Sequence, residues 1–572
     1  MKLPRLFLLT ISLCSASSIA HAQWVANGTA ICTALDHQNT LRMVPDGQGG
    51  AIIVWVDYRS PTPNNPDIYA QRVNKWGFVQ WAANGIAVCS DPSQQGNPEA
   101  VSDGLGGAIV VWQDGRIDGG IYAQRVDANG NALWTSGGVI VNNEVGLQQN
   151  AKAVSDGAGG AIVVWEDSRN FATSSWDVYA QRIDYNGQKL WTPAGMVVCT
   201  HAAAQTQPVT VSDGQQGVIV MWDDQRNMAT QGEDQYIQRL NGASLALWGP
   251  DGVPVAASPA SESFSSVASD GFGGVLCAWV RQSAGTSVGT YVQRVNSSGA
   301  AQWAANGQML CNTVSYFPAV IDDELGGAIV AWDDFRSPTF DNVDLYAARY
   351  TDAGFEWGGS NGQVIVDAPT RQSAQPIIPL IHNAPGQWMI AWTDSRNGAT
   401  DIYAHLHDID SNPFWQNDGV PVTQAADDQS NPVMVPDGAG GALIAWEDRR
   451  THDVTDTDVY AIRIDGNGAI TGVRDTPPAA TALRIAPNVP NPFNGFTKIR
   501  FDLASASRTT LEIFDVAGRR MLTKELGSLG AGSHMFSFDG RDNRGRSLPS
   551  GEYFYRVTAA GTARSGKFVL TR

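Results

Sequence analysis

The sequence predicts an all-β protein: an eight-bladed β-propeller followed by a small β-sandwich. A unit built around two tryptophans recurs eight times, with a mean spacing of about 56 residues. Each unit divides into short runs of Val, Ile, Tyr and Trp bounded by Gly, Asn and Asp, and no stretch keeps a 3.6-residue periodicity. Four strands in a unit of this length are typical of a propeller blade rather than of a solenoid repeat.

The first 22 residues have the pattern of a signal peptide. Lys2 and Arg5 precede an apolar stretch over residues 6–13, and Ala20-His21-Ala22 is a small-x-small cleavage site. No other segment holds 18 consecutive apolar residues, so we expect no transmembrane helix. The sequence therefore predicts an exported protein that is secreted or displayed at the cell surface.

Each unit contains two tryptophans in fixed register. The first ends a β-branched run, in the series Trp55, Trp112, Trp165, Trp222, Trp279, Trp332, Trp392 and Trp446. The second precedes a Gly-x-x-apolar segment, in the series Trp24, Trp81, Trp134, Trp191, Trp248, Trp303, Trp357 and Trp415. An acidic residue or amide lies nine positions before the first tryptophan, in the series Asp46, Asp103, Asp156, Asp213, Asp270, Asp323, Asn383 and Asp437. Eight units in one register indicate a single repeated fold.

Four strands, named a to d, are predicted in each unit. In the second unit we expect them at residues 99–102, 108–113, 121–126 and 132–141. Asp103-Gly104-Leu105-Gly106 suits the tight turn between strands a and b, because glycine tolerates a positive φ.

The two ends of the repeat region complement each other. Residues 24–32 match only the fourth strand of a unit, and the last unit runs into residues 471–478 without a second tryptophan. We therefore expect the first segment to complete the last blade and close the ring, which a solenoid would not require. The propeller is assigned to residues 23–475 and a linker to residues 476–484.

An Asp-x-Arg motif opens the loop between strands b and c in seven units: Asp57/Arg59, Asp114/Arg116, Asp167/Arg169, Asp224/Arg226, Asp334/Arg336, Asp394/Arg396 and Asp448/Arg450. One interpretation is a ring of carboxylates that binds cations or sugars. The interpretation we favour is an ion pair that braces each blade. The fifth unit departs from the motif, with Val280-Arg281-Gln282-Ser283.

One face of the ring varies and is the predicted binding face. It carries the b–c and d–a connections, and the spacing from the first tryptophan to the tyrosine of strand c ranges from 10 to 14 residues. Amides and aromatics are expected there, just before strand a: Asn97, Asn150, Gln207, Phe264, Phe317, Gln375 and Asn431. They suit a carbohydrate or peptide ligand at the channel mouth, or they cap the innermost strands, which is the interpretation we favour.

Charge and cysteine usage exclude several classes of function. The net charge is −18, yet residues 481–572 hold 14 Lys and Arg against 7 Asp and Glu, which leaves about −27 on the repeats. So acidic a surface repels nucleic acid and anionic lipid.

Five cysteines follow the signal peptide, an odd number, and four share one repeat position: Cys32, Cys89, Cys199 and Cys311. We expect buried small hydrophobic residues rather than a disulfide framework.

No motif of a known catalytic class occurs, so the catalytic residues stay undefined, and no cofactor or metal is predicted. His405 and His407 lie at strand spacing on one face of the seventh unit. Two histidines without a third ligand are a weak metal signal. Carboxylates are plentiful, but the sequence does not show which of them lie close together across the ring.

Motifs in the last 88 residues carry a family resemblance. In order they are Pro-Asn-Val-Pro-Asn-Pro-Phe-Asn at 487–494, Leu-Glu-Ile-Phe-Asp-Val-Ala-Gly-Arg at 511–519, Phe-Asp-Gly-Arg-Asp at 538–542 and Ser-Gly-Glu-Tyr-Phe-Tyr-Arg at 550–556. This region, 485–572, resembles the type IX secretion sorting tail and the related Ig-like domain of flagellar hook-capping proteins. Phe538 stands where that family often has tryptophan. The resemblance implies an Ig-like sandwich and export by outer-membrane secretion machinery of a Gram-negative-type bacterium.

Three functions are consistent with these features. The leading hypothesis is a secreted or surface binding protein that contacts an extracellular polysaccharide or a surface protein. The second is an extracellular glycan-degrading enzyme, a glycosidase or lyase, with carboxylates at the propeller channel. The third is a structural surface protein. Converging carboxylates in a deep channel pocket would favour the enzyme, and a flat or plugged channel would favour binding.

Overall fold

The computed structural model describes residues 24–470 and 483–571. Exceptions in the first range are residues 61, 63–64, 117–118, 231, 284, 338–341, 369, 374–377, 417 and 453. Exceptions in the second are residues 486–487, 489–492, 494–495, 504–506, 517, 530–531 and 560–561. The described repeats form eight antiparallel sheets, one blade each, and the all-β propeller prediction is confirmed. Blade 8 combines strands from both ends of the repeat region.

Strands a are innermost: Gln38–Pro45, Gln95–Ser102, Gln148–Ser155, Gln205–Ser212, Ser261–Ser269, Ser315–Asp322, Gln372–Ser373 with Leu380–Ala384, and Gln429–Pro436. Strands b are Ala51–Asp57, Ala108–Asp114, Ala161–Asp167, Val218–Asp224, Val275–Ser283, Ala328–Asp334, Gln387–Asn397 and Ala442–Asp448. Strands c are Asp67–Val73, Gly120–Val126, Asp177–Ile183, Asp234–Leu240, Thr286–Val295, Asp344–Thr351, Ala399–Asp408 and Asp458–Ile464.

Strands d are short: Ile86–Cys89, Val139–Asn142, Met196–Val197, Val253–Ala256, Gln308–Met309, Gln363–Val366, Val420–Thr423 and, for blade 8, Thr29–Cys32. Blade 6 has one further strand, Gly354–Trp357, in its c–d hairpin. The helices among the described residues, Phe171–Ser174 and Gly359–Asn361, are too short to cross a membrane.

The ring closes through its first strand, as the complementary chain ends predict. Thr29–Cys32 pairs antiparallel with strand c of blade 8, with Thr29 opposite Ala461. Arg450 Nη2 donates to the Asn27 carbonyl oxygen at 2.6 Å. Strands a contact their neighbours around the whole circle, including that of blade 8 against that of blade 1. The repeat region is therefore a closed eight-bladed ring.

The first tryptophan of each blade is completely buried and fixes the turn before strand d. Trp112 donates from Nε1 to Asp114 Oδ2 at 2.7 Å. Gly138, at φ 87°, lies against its ring: a Cβ there would approach Trp112 Cη2 to 2.5 Å. A positive φ and this close approach together explain the Gly of the Gly-x-x-apolar segment.

The second tryptophan connects neighbouring blades. Trp134 Nε1 donates to the Tyr185 carbonyl oxygen in the c–d turn of the next blade at 3.0 Å. The same bond joins Trp24 to Lys75, Trp81 to Ala128, Trp191 to Gly242, Trp248 to Ser297, Trp357 to Ile409 and Trp415 to Gly466. Trp303 instead uses the Asp352 carboxylate. Both tryptophan series therefore have structural roles.

The aspartate before strand b forms a buried ion pair with an arginine of strand c. The seven pairs, at 2.7–3.1 Å, are Asp46/Arg72, Asp103/Arg125, Asp156/Arg182, Asp213/Arg239, Asp270/Arg294, Asp323/Arg349 and Asp437/Arg463. In blade 7 both partners change together, to Asn383 and Leu406. Because both members of the ion pair are replaced by neutral residues, blade 7 has no buried charge without a partner at this position.

Two predicted boundaries in blade 2 are wrong. Strand a begins at Gln95 rather than at Glu99, because a β-bulge lets the chain pass Asn97, at φ 49°, and Pro98 without leaving the sheet. Strand d is paired only over Val139–Asn142, whereas Ala132 forms a separate bridge to Val126. The sequence pattern shows neither the bulge nor this interruption.

The C-terminal region folds as two antiparallel sheets. One contains Leu483–Ile485, Thr497–Leu503 and Gly532–Phe538, and the other contains Arg520–Leu529, Ser507–Asp515, Gly551–Ala559 and Thr562–Leu570. Their core includes Phe493, Phe538 and Phe568, whose rings meet at centroid distances of 5.5–6.2 Å. Phe538, at the position of the family's tryptophan, is buried in this core.

Candidate ligand-binding site in the central channel

The innermost strands enclose a cavity of about 920 Å³. Strands a of blades 1 to 7 contribute to its lining, together with Asp223 and Glu233 of blade 4. This volume lies within the range of small-molecule pockets. The channel is therefore open enough to hold a ligand, and its lining differs from one side to the other.

Blades 1 to 3 form a charged wall. Arg42 Nη2 lies 3.1 Å and Lys152 Nζ 2.9 Å from the same oxygen, Oε1 of Glu99. The side chains of Arg42 and Lys152 are 25% and 33% exposed, and that of Glu99 is 17% exposed. Burial alone would raise the pKa of Glu99, but the two cations lower it below its usual range. Glu99 is therefore ionised near neutral pH.

Blades 5 and 6 form an aromatic wall. The rings of Phe264 and Phe317 meet edge to face at a centroid distance of 5.1 Å, and Tyr316 lies 5.5 Å from Phe264. Phe264 keeps 40% of its surface exposed and lines the cavity with Phe317. An exposed aromatic face in a cavity is a stacking platform.

Neutral hydroxyl and amide groups on blades 4 and 5 also line the cavity: Thr206, Gln207, Thr210, Ser263, Ser265 and Ser266. Such side chains both donate and accept hydrogen bonds. The cavity thus combines an aromatic face, neutral polar groups and a separate charged cluster, which suits a polar ligand with an apolar face.

Asp223 is a buried carboxyl group in the cavity lining. Its Oδ1 accepts a hydrogen bond from Gln235 Nε2 at 2.5 Å, and Gln235 Oε1 accepts one from Ser265 Oγ at 2.7 Å. Burial, reinforced by the nearby Glu233 and Glu166 carboxylates, raises the pKa of Asp223 well above its usual value. Asp223 is therefore protonated at pH values where exposed aspartates are ionised, as a proton donor requires.

Asp223 belongs to a carboxyl series that sequence reasoning missed. The residue after the first tryptophan is Glu166, Asp223, Asp333 and Glu447 in blades 3, 4, 6 and 8. Three of these bond to strand a of the next blade. Glu166 accepts from the Gln207 N–H, Glu447 from the Thr40 N–H, and Asp333 from Ser373 Oγ. Their fixed position after the tryptophan was the available signal.

The predicted channel-mouth residues lie inside strand a, not before it. Asn97, Asn150, Gln207, Phe264, Phe317 and Asn431 all occupy the bulge, with φ of 49–54°. Gln375 lies outside the described residues. Gln207, Phe264 and Phe317 line the cavity.

The three asparagines bond instead to strand b of their own blade. Their Nδ2 groups donate to Gln113, Glu166 and Glu447, respectively, at 2.8–3.1 Å. The set thus divides into residues that face the cavity and residues that fix the bulge.

The Asp-x-Arg motif braces each blade, as the interpretation we favoured predicts. Asp57 pairs with Arg59 and accepts from Trp55 Nε1, and all seven motif aspartates have wholly buried side chains. The arginine also lies 3.7–4.2 Å above the tyrosine of strand c in every blade. These carboxylates have no surface left for a ligand.

Blade 5 forms the same brace from a different pair of positions. Arg281 occupies the aspartate position, and its carboxylate partner is Glu262 of strand a, where most blades have glutamine. Glu262 also accepts from Trp279 Nε1 at 2.7 Å. The fifth unit is therefore a compensated variant of the same brace.

His405 and His407 have packing partners. Their rings stack at 4.1 Å, and His407 stacks on Trp388 at 4.3 Å. Burial, with His405 adjacent, lowers the pKa of His407 to about 3. No group of three or more His, Cys, Asp or Glu side chains suited to a metal ion occurs in the described part of the chain.

The five cysteines of the repeats are free and buried. Burial raises the pKa of Cys32 and Cys199 to about 12. Their thiols are therefore protonated near neutral pH, and the sulfur atoms of Cys32 and Cys199 accept from Nη2 of Arg59 and Arg226 at 3.0 and 3.4 Å, respectively.

Comparison with known proteins finds one family at the C-terminus. Residues 488–563 match the FlgD Ig-like domain. The basal-body rod modification protein FlgD of Salmonella typhimurium is 40% identical over 55 residues, which are 10% of this chain and 24% of that protein. The chain thus spans about a quarter of the length of this curated relative. The Ig-like part of the resemblance is supported, and it concerns the tail alone.

Solved structures similar to the chain are remote. A polysaccharide lyase, an ulvan lyase bound to a GlcA–Rha3S unit, has a TM-score of 0.41 at 11% identity, covering 78% of this chain and 96% of its own. The α-L-arabinanase of Penicillium chrysogenum has a TM-score of 0.33 at 14% identity, covering 55% and 93%. Puromycin hydrolase has a TM-score of 0.39 at 13% identity, covering 85% and 61%.

Proposed function

We propose that this protein is an extracellular carbohydrate-binding propeller whose ligand lies in the central cavity. The observation that carries the proposal is the aromatic pair of Phe264, which is exposed, and Phe317, which is half-buried, in a cavity of about 920 Å³ lined by neutral hydroxyl and amide groups. Sugar rings offer an apolar C–H face and a rim of hydroxyl groups. The aromatic wall matches the face, and side chains such as Thr210 and Ser266 match the rim.

A glycan array probed with the mature protein tests this proposal. Phe264→Asn and Phe317→Asn are suitable variants, because asparagine already occupies the same bulge in blades 2, 3 and 8. Losing one stacked ring removes about 1 kcal/mol, so each variant should bind its glycan roughly fivefold more weakly. Phe554→Ala, at an exposed aromatic residue of the C-terminal domain, is the matched control. A blank array would refute the proposal and favour a structural surface protein.

A second candidate, a glycan-degrading enzyme, is favoured by Asp223 and by the open cavity, since a flat or plugged channel was the feature expected of a binding protein. A protonated carboxyl in the same cavity can act as a general acid on a glycosidic oxygen, and Glu233 is a second carboxyl in the lining. The measurement is the release of reducing ends or unsaturated products from each glycan that binds. Activity should fall as pH rises through the pKa of Asp223.

Asp223→Asn should abolish this turnover while leaving binding intact. Glu447→Gln is the control, because Glu447 has the same strand position and a pKa raised by burial but lies outside the cavity lining. If the native protein binds glycans but does not cleave them, the glycan-degrading function is refuted.

We also propose that the protein is exported and that residues 485–572 are its sorting or anchoring tail. The signal-peptide pattern and the match to the FlgD Ig-like domain support this. The full chain and a chain ending at residue 475 can be compared in a bacterium with and without type IX machinery. We expect only the full chain, with the machinery present, to reach the medium or the surface. Equal export of both chains would refute the role of the tail.

A further inference from the structure

The charged wall breaks the symmetry of the ring at a single repeat position. This position is the fifth residue of strand a, or its equivalent in register, and it holds Arg42, Glu99 and Lys152 in blades 1 to 3. Blades 4, 5, 6 and 8 have Val209, Ser266, Ala319 and Val433 there. The charged residues are contiguous, share one ion cluster and line one cavity.

The fold does not need these charges. Removing ions from water costs several kcal/mol each, and their attraction repays it only with good geometry. Four blades close with apolar or small side chains at the same position, so packing of the ring requires no ion there. The framework ion pairs, such as Asp103 with Arg125, recur in seven blades, whereas this cluster occurs once among the described blades. Because this ion cluster is costly to desolvate, occurs once and lines the cavity, we interpret it as a ligand contact.

The cluster has a surplus positive charge that faces the cavity. Two cations share one carboxylate oxygen, so the net charge of the three groups is +1. Arg42 also donates from Nη1 to the Leu41 carbonyl oxygen at 2.9 Å, and the side chains of Arg42 and Lys152 keep part of their surface open. Guanidinium and ammonium groups offer five and three donors, so several stay available. In the described residues, neither Glu233 nor Asp223 of the cavity lining forms an ion pair with Arg42 or Lys152, and burial raises the pKa of Asp223 well above its usual value.

We infer that the ligand is an acidic polysaccharide whose anionic group binds Arg42 and Lys152 while a neighbouring sugar face lies on Phe264 and Phe317. The inference rests on the proposed carbohydrate-binding function and specifies its ligand class. A uronate carboxylate and a sulfate ester each carry one negative charge, and both accept hydrogen bonds from guanidinium and ammonium groups. The acidic outer surface slows the approach of such a chain, but its field is screened within about 8 Å at physiological ionic strength.

Calorimetric titration of the mature protein tests the ligand class. The probes are polygalacturonate and alginate oligomers for carboxylates, dextran sulfate for sulfate esters, methyl-esterified polygalacturonate as the uncharged match, and laminarin as a neutral glucan. At least one acidic probe should bind about tenfold more tightly than the two neutral ones. The carboxylate and sulfate arms identify which anion is preferred.

Two substitutions should move this affinity in opposite directions. Lys152→Gln removes the surplus charge and leaves the Arg42–Glu99 pair intact, so acidic probes should bind about tenfold more weakly. Glu99→Gln frees both cations and should tighten acidic binding several-fold, while neutral probes are unaffected in both variants. Lys524→Gln, at an exposed position of the C-terminal domain, is the control. A thermal melt confirms that each variant is folded, and Lys152→Gln serves alone if Glu99→Gln does not fold.

The outcomes separate the two proposals. Preferential binding of neutral glycans, or acidic binding that Lys152→Gln leaves unchanged, would overturn the ligand class and leave the carbohydrate-binding function standing. Absence of binding to every glycan, on the array and in the titration, would overturn both.

Discussion

Replacing Asp103 by asparagine should destabilise the propeller strongly. The Asp103 carboxylate accepts from Arg125 Nε at 3.0 Å and Nη2 at 2.9 Å, and from the backbone N–H groups of Leu105 and Gly107 at 2.8 Å. The side chains of Asp103 and Arg125 are 1% and 8% exposed. Asparagine keeps an oxygen for the turn but leaves the guanidinium buried without an anion.

The magnitude follows from this burial. Removing one partner of a buried ion pair costs about 3–5 kcal/mol. Unfolding entropy is about 2.1 cal/mol/K per residue, so over roughly 450 residues each kcal/mol shifts the melting temperature by about 1 °C. Asp103→Asn should therefore melt about 3–5 °C lower than the native protein, measured by circular dichroism at a fixed scan rate.

Blade 7 suggests the rescue. The double variant Asp103→Asn/Arg125→Leu copies its Asn383 and Leu406, so no charge is left unpaired. It should recover more than half of the lost melting temperature, although the bond from Arg125 to the Tyr185 carbonyl oxygen is lost. Asp456→Asn, in a half-exposed ion pair, is the control and should cost less than about 0.5 kcal/mol. A double variant that melts no higher than Asp103→Asn would refute the reasoning.

Three further outcomes can be measured on the same protein. Gly138→Ala should lower the melting temperature by several degrees more than Gly104→Ala, because its Cβ meets Trp112 whereas nothing lies within 4 Å of a Cβ at Gly104; equal shifts would contradict the packing. Cys199 should resist a thiol reagent at pH 8 until the chain unfolds, since its pKa is raised to about 12; rapid native labelling would count against this burial. Burial, with the Asp57 charge, raises the pKa of Asp67 to about 6, above its unfolded value of 3.8. The stability that Asp67 contributes is therefore present below pH 4 and lost as pH rises through 6, so Asp67→Asn should raise the melting temperature at pH 7 and leave it unchanged near pH 3.5.

The ring was predictable because its determinants are local and repeated. Each first tryptophan bonds a carboxylate of its own blade, and each second tryptophan bonds a turn about 50 residues ahead, so both recur in register. The last unit lacks one strand and the first segment supplies it. Closure therefore follows from counting strands. The start of strand a was missed because a bulge residue at positive φ resembles a loop in sequence.

The cavity was only partly predictable. Phe264, Phe317 and Gln207 were selected for their side chains, but their partners across the channel lie on other blades, and no sequence spacing shows which blades face each other. Arg42, Glu99 and Lys152 do share a repeat position, so aligning strand a would have revealed them. Asp223 could have been found as one member of the carboxyl series that follows the first tryptophan. The sequence does not show, however, that Asp223 bonds to Gln235 of its own blade, whereas Glu166 and Glu447 bond to strand a of the next blade.

The strand that closes the ring is also the first part of the mature repeats to leave the ribosome. Thr29 pairs with Ala461, which is synthesised about 430 residues later, so the strand cannot pair until then. Contacts of such long sequence separation form late, because the intervening chain must be ordered first. Under the export proposed above, the chain would cross a membrane from its N-terminus as an open arc of blades, and it could close into a ring only after blade 8 had followed.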